Sequence, residues 1–140
     1  MDLSTLSASE TAVIKLLHPA TGEPLTDNGE PLTVSVYGPG TVQHQQMRSA
    51  RDRRIMSAAM AANKSGKKTA DIVDPDKERA DTAADLAACT ESISGWDYKG
   101  ATDATAIRAA YADASMSWLA DQVSRGLGDW STFLPESATN

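Results

Sequence analysis

Several residue types and segments are scarce in this sequence of 140 residues, and each shortage excludes a class of protein. The single cysteine excludes an internal disulfide and is typical of a reducing compartment. No apolar run approaches the ~18 residues needed to span a membrane. The first residues lack the basic and apolar blocks of a signal peptide. We therefore expect a soluble, intracellular protein.

Aromatic residues are also scarce, at 5% of the chain, whereas alanine is abundant. This composition predicts a thin, alanine-rich core between closely spaced helices, in a chain long enough for one domain. The net charge of −6 argues against indiscriminate binding to nucleic acid, because that affinity comes largely from Lys and Arg on phosphates.

Motifs that carry chemistry are missing. Residues 61–69 superficially resemble a phosphate-binding loop, but Ala61 stands where that loop needs glycine and Lys68 where it needs Ser or Thr. Two histidines and one cysteine in distant segments give no zinc spacing. His44 should be neutral and solvent-facing, and Cys89 should be a small core residue. We expect no enzyme, no catalytic or metal site, and no cofactor.

Residues 11–37 predict an N-terminal β-hairpin. Val13, Ile14 and their neighbours form a first apolar run, and residues 32–37 alternate strictly between apolar and polar. The segment between the runs holds three prolines and Asp-Asn-Gly, so neither strand can continue through it. Residues 1–10 should be flexible.

The rest of the chain, residues 41–134, predicts a small bundle of three to four helices, which makes the fold class α+β. The first helix should begin after a Thr41 cap and reach about Asn63, with Ile55, Met56, Ala59 and Met60 as its apolar stripe. The second should begin at Asp74-Pro75 and reach about Ile93. Helical stretches near residues 103–111 and 115–127 are either separate or continuous. The tail, 135–140, should be loose.

Basic residues cluster within 48–68. The cluster holds Arg48, Arg51, Arg53, Arg54, Lys64, Lys67 and Lys68, opposed only by Asp52. Three interpretations stay open: a solvated helix face, a docking surface for an acidic partner or a neighbouring copy, and a nucleic-acid site. In the second, Arg48, Arg51 and Arg54 bind protein, and the acidic second helix supplies complementary charge for a homo-oligomer.

Apolar side chains at the C-terminal end form a second candidate surface. Trp118 should belong to the core. Trp130, Phe133 and Leu134 follow the last predicted helix, where we expect them to be exposed and, with Leu127, to bind protein.

The order of these segments resembles the tail assembly chaperones of long-tailed bacteriophages. The resemblance lies in HPATGEPL, the Asp-Asn-Gly turn and LTVSVYGPG near the start, and in SGWDYKG and AIRAAYADASMSWLADQVSRGLGDWSTFL towards the end. It covers nearly the whole chain in order.

The resemblance implies a non-enzymatic helper in the host cytoplasm that is absent from the mature virion. Such a chaperone binds the tape-measure protein, keeps it soluble and helps to recruit tail tube protein during tail assembly. Two alternatives stay open: a small structural component that remains in the particle, and a nucleic-acid-binding regulator that uses the basic helix 48–68.

Overall fold

The computed structural model describes residues 1–66 and 74–134, and the predicted hairpin is present in it. Strand β1 (Thr11–Lys15) pairs antiparallel with β4 (Thr33–Tyr37). The segment between them contains a second small hairpin, formed by β2 (Thr26–Asp27) and β3 (Glu30–Pro31). Its turn residues Asn28 and Gly29 have φ values of 52° and 81°. Positive φ at both central residues is what a tight two-residue hairpin turn requires.

A third strand, β5 (Thr90–Ser94), completes the sheet in the order β1-β4-β5. The prediction that only helices follow the hairpin, with the second helix reaching Ile93, is therefore wrong. Helix α2 (Pro75–Ala88) ends earlier, and Ile93 pairs with Val34 of β4. Residues 90–94 contain one apolar residue, Ile93, and β4 supplies the partner that makes this short segment a strand.

The other helices are α1 (Val42–Ser65), α3 (Ala104–Ala112) and α4 (Ser117–Leu127). Local caps set most of their starts, as predicted. The hydroxyl of Thr41 accepts from the His44 N–H, and the carboxylates of Asp74 and Asp103 cap α2 and α3.

Helices α3 and α4 are separate. The backbone of Asp113 is extended, and its carboxylate accepts from the backbone N–H and hydroxyl of Ser115. These bonds cap a 3-10 turn at Ala114–Met116, from which α4 continues. A short polar side chain that bonds its own neighbouring backbone competes with helix continuation.

The core lies between one face of the sheet and helices α2, α3 and α4. Val34 and Val36 of β4 are fully buried, β1 adds Ile14, and Leu16 directly after β1 joins the same core. The helices add Leu86, Tyr111, Leu119 and Val123, among others. The structure thus confirms the α+β fold class and the half-buried alternation of residues 32–37. In α3, Ile107 and Tyr111 are buried.

Candidate protein-binding surfaces

Phe133 is a core residue, so its predicted exposure is wrong. Its side chain is 1% exposed and packs within the main apolar cluster. The Phe133 carbonyl accepts a 2.7 Å hydrogen bond from the Ser9 N–H, which holds the chain end against the segment that leads into β1. The ring lies beside Gly38, where an added Cβ would be 3.3 Å from the Phe133 Cδ1 atom.

The other predicted apolar binding residues are divided between surface and core. Trp130 is exposed, with 60% of its surface accessible, in a 3-10 turn at Trp130–Thr132. Leu127 and Leu134 are half-buried, and Leu127 packs against the core. Trp118 is also half-buried against the core, in line with its predicted structural role. Trp130 is therefore the one member of the predicted set that offers a largely free apolar side chain.

The basic cluster is partly neutralised within the chain. The Arg54 guanidinium forms ion pairs with Asp85 and, at 3.8 Å, with Asp81 of α2. Asp81 also accepts from the Lys77 ammonium at 3.2 Å. Arg54, which was expected to serve a partner, thus pairs α1 with α2 within the chain. Arg48 and Arg51 are exposed. Lys67, Lys68 and the tail 135–140 lie outside the described residues.

His44 is buried, so the expectation that it faces solvent is wrong. It is 7% exposed, and its Nδ1 atom has no hydrogen-bond partner among the described residues. Burial lowers the pKa of His44, and the positive charges of Arg48 and Arg51 lower it further. The imidazole is thereby held neutral, as expected from its place near the positive end of a helix.

The predicted apolar stripe of α1 faces solvent instead of packing in the core. Ile55, Met56 and Met60 are 61%, 66% and 65% exposed, and Ala59 is exposed as well. The buried residues of α1 are instead His44, Met47 and Ala62. We call Ile55, Met56, Ala59 and Met60 the distal α1 face. Spacings of one, four and five place these four side chains on one side of a helix.

An open groove of about 390 Å³ lies between α1 and α2. Ile55 and Ala58 line it from α1, and Thr82 lines it from α2. Charged side chains surround it: Arg51, Arg54, Asp74, Lys77, Glu78, Asp81 and Asp85. Of the groove's lining residues, Ile55 alone also belongs to the distal α1 face, so the groove is a mostly charged surface that adjoins this face at one residue.

The remaining reactive groups have structural surroundings. Cys89 is fully buried, and burial together with the charge of Asp85 raises the pKa of its thiol to about 11. Burial raises the pKa of Tyr111 to about 12, while its hydroxyl bonds to Thr90 at 2.8 Å. Over residues 1–66 and 74–134, no three His, Cys, Asp or Glu side chains are grouped to hold a metal ion. No helix in these ranges is long and apolar enough to cross a membrane.

The sequence of α1 does not show which side of the helix is buried. The arginines at 48, 51, 53 and 54 surround the helix, so α1 has no strong division between apolar and polar sides. Such a helix gives its apolar residues no preferred inner face.

Comparisons with protein-family models, with curated proteins and with solved structures found no match.

Proposed function

We propose that this chain is a tail assembly chaperone of the kind made by long-tailed phages, and that it binds the tape-measure protein through the distal α1 face. The order of the sequence segments described above supports the proposal that the chain is a chaperone of this kind. The exposure of Ile55, Met56 and Met60 is the observation that carries the binding surface.

The energy available from this face fits a reversible holder. Fully burying a large aliphatic side chain or methionine contributes about 1.5–3 kcal/mol. Three such side chains supply a useful driving force, from which the cost of association must be subtracted. A chaperone has to release its client to the polymerising tube, so moderate affinity suits the proposed role.

The shape of the face favours a helical partner. Helix α1 has 24 residues, which corresponds to about 36 Å of length. An amphipathic helix of the client can lie along the distal α1 face and contact Ile55 and the two methionines. Methionine is flexible and polarisable, so Met56 and Met60 can adapt to successive apolar segments of a long client.

Two other predicted groups of binding residues also belong to this proposal. Trp130 offers an exposed aromatic anchor at the other end of the chain. Arg48 and Arg51 lie on α1 ahead of the distal face and can steer an acidic client segment. Arg54 belongs to the α1–α2 contact, so we assign it a structural role.

Co-expression with the tape-measure protein tests the proposal. The double variant Met56→Ser, Met60→Ser should lose co-purification and leave the client insoluble, while its thermal transition stays near that of the wild type. Val42→Ser is a matched control, because Val42 lies on the same helix and is 65% exposed. A double variant that rescues the client as well as the control does would contradict the proposed surface.

A second measurement separates the chaperone from a structural tail component. Mass spectrometry of purified particles should detect the tube and tape-measure proteins without this chain. Stoichiometric amounts of the chain in the particle would favour the structural alternative. A DNA-binding assay across salt concentrations tests the regulator, which would show affinity falling steeply with salt.

A further inference from the structure

Strand β1 forms one edge of the sheet, and the hydrogen bonds along it show which backbone groups point outwards. The N–H of Leu16 donates to Leu32 at 2.9 Å, and the Glu10 carbonyl accepts from Gly38 at 2.8 Å, both on the β4 side. In an antiparallel pair, the backbone groups of successive residues point alternately towards the partner and away from it. Thr11, Val13, Lys15 and Leu17 therefore present their backbone groups on the outer edge.

Both ends of this outer edge are occupied. The Gln122 side-chain amide accepts from the Leu17 N–H at 2.9 Å and donates to the Leu17 carbonyl at 2.8 Å. At the other end, Ser9 donates its N–H to Phe133 and its hydroxyl to the Thr11 carbonyl, at 2.7 Å and 2.9 Å.

The middle of the edge is open. Among residues 1–66 and 74–134, the outward N–H and C=O groups of Val13 and Lys15 have no partner. Val13 is 61% exposed, and its cross-strand neighbours on the outer face of the sheet are Ser35 and Ser92. Val13 is thus the apolar residue of an otherwise polar row, and it sits at the centre of the open edge.

We propose that two copies of this chain associate by antiparallel pairing of their β1 strands about Val13. This inference is independent of the proposed chaperone role. The edge is complementary to itself in this register. Val13 opposes Val13, so the two exposed side chains cover each other, and Lys15 opposes Thr11 instead of another lysine. A two-fold contact of this kind uses the same patch on both copies and closes at a dimer.

The capped ends limit the pairing to a short window. Gln122 and Ser9 occupy the positions where a longer partner strand would continue, and Lys15 discourages pairing in registers that bring two lysines together. The dimer should therefore be weak and specific in register.

Disulfide trapping tests the register on the full-length chain. In the proposed pair, the two Cα atoms at position 13 are about 5.5 Å apart, which a disulfide can span. Val13→Cys should give a covalent dimer on mild oxidation. Lys15→Cys should not, because the two copies of position 15 are offset by four residues, or about 13 Å. The native Cys89 is fully buried and should leave the wild type uncrosslinked.

Sedimentation of unoxidised protein is the second test, and it measures the dimer dissociation constant. Val13→Lys places two ammonium groups face to face and should raise the dimer dissociation constant about tenfold or more. Val13→Thr, which keeps the branched side chain, should change it little. Crosslinking of both cysteine variants alike, or a wild-type chain that stays monomeric at millimolar concentration, would overturn the proposal.

Discussion

Two methionines of helix α1 are buried very differently. Met47 in the first half is 9% exposed, whereas Met60 in the second half is 65% exposed. Both lie in one continuous helix with arginines distributed around it. The difference shows that the neighbouring elements, and not the helix's own pattern, determine which of its apolar residues enter a core. The residues left outside are those that we propose as the binding surface.

Buried and exposed aromatic side chains also lie close together at the C-terminal end, and their contrast gives the largest expected change in the free energy of unfolding. Phe133→Ala should lower the free energy of unfolding by roughly 3–5 kcal/mol, the usual cost of truncating a buried aromatic side chain. Trp130→Ala should stay within about 0.5 kcal/mol, because its side chain is largely in solvent. Chemical denaturation of both variants measures the contrast. Equal losses would place Trp130 in the core or Phe133 outside it.

A smaller effect separates the two halves of α1. Met47→Ala should lower the free energy of unfolding by about 2 kcal/mol, near the lower end of the range for a buried methionine. Met60→Ala should change it by less than about 0.5 kcal/mol. If Met60→Ala instead costs as much as Met47→Ala, the distal α1 face is covered in the native state.

The smallest effect is a pH dependence at His44. Because its pKa is lowered in the folded chain, the unfolded chain takes up a proton at higher pH than the folded one does. The stability that neutral His44 contributes is fully present above its unfolded pKa of about 6.5 and is lost as the pH falls from that value through the lowered pKa of the folded chain.

Thermal melts of the wild type and of His44→Gln at pH 5 and pH 7.5 measure this dependence. The wild type should lose more stability on acidification, since the glutamine cannot take up a proton. The same loss in both proteins would assign the pH dependence to other groups.

Local chemistry made much of this fold predictable. The alternation around Val34 and Val36 predicts a half-buried strand from neighbouring residues alone. Caps such as Thr41 and Asp74 are also predictable, because their side chains bond backbone N–H groups in the first turn of the same helix. Strand β5 was missed because its identity depends on β4, more than fifty residues earlier in the chain. The sequence left open whether the helix breaks at Asp113, because the cap there uses a serine two residues on, within an otherwise helical pattern.

The candidate surfaces were less predictable, because exposure depends on contacts between distant segments. Phe133 is buried because segments distant from it in sequence, Gly38 among them, surround its ring. Arg54 is paired because α2 packs beside α1. The distal α1 face is exposed because no element among the described residues covers it. The apolar pattern of a helix does not show whether another element will pack on it.

Methyl NMR of methionine-labelled protein tests the central claim most directly, because the chain has five methionines and both halves of α1 contain them. On addition of unlabelled tape-measure protein, the methyl signals of Met56 and Met60 should shift or broaden, while the buried Met47 signal should stay in place. Unchanged Met56 and Met60 signals, with changes at Met47 or Met116 instead, would contradict the assignment of the distal α1 face as the binding surface.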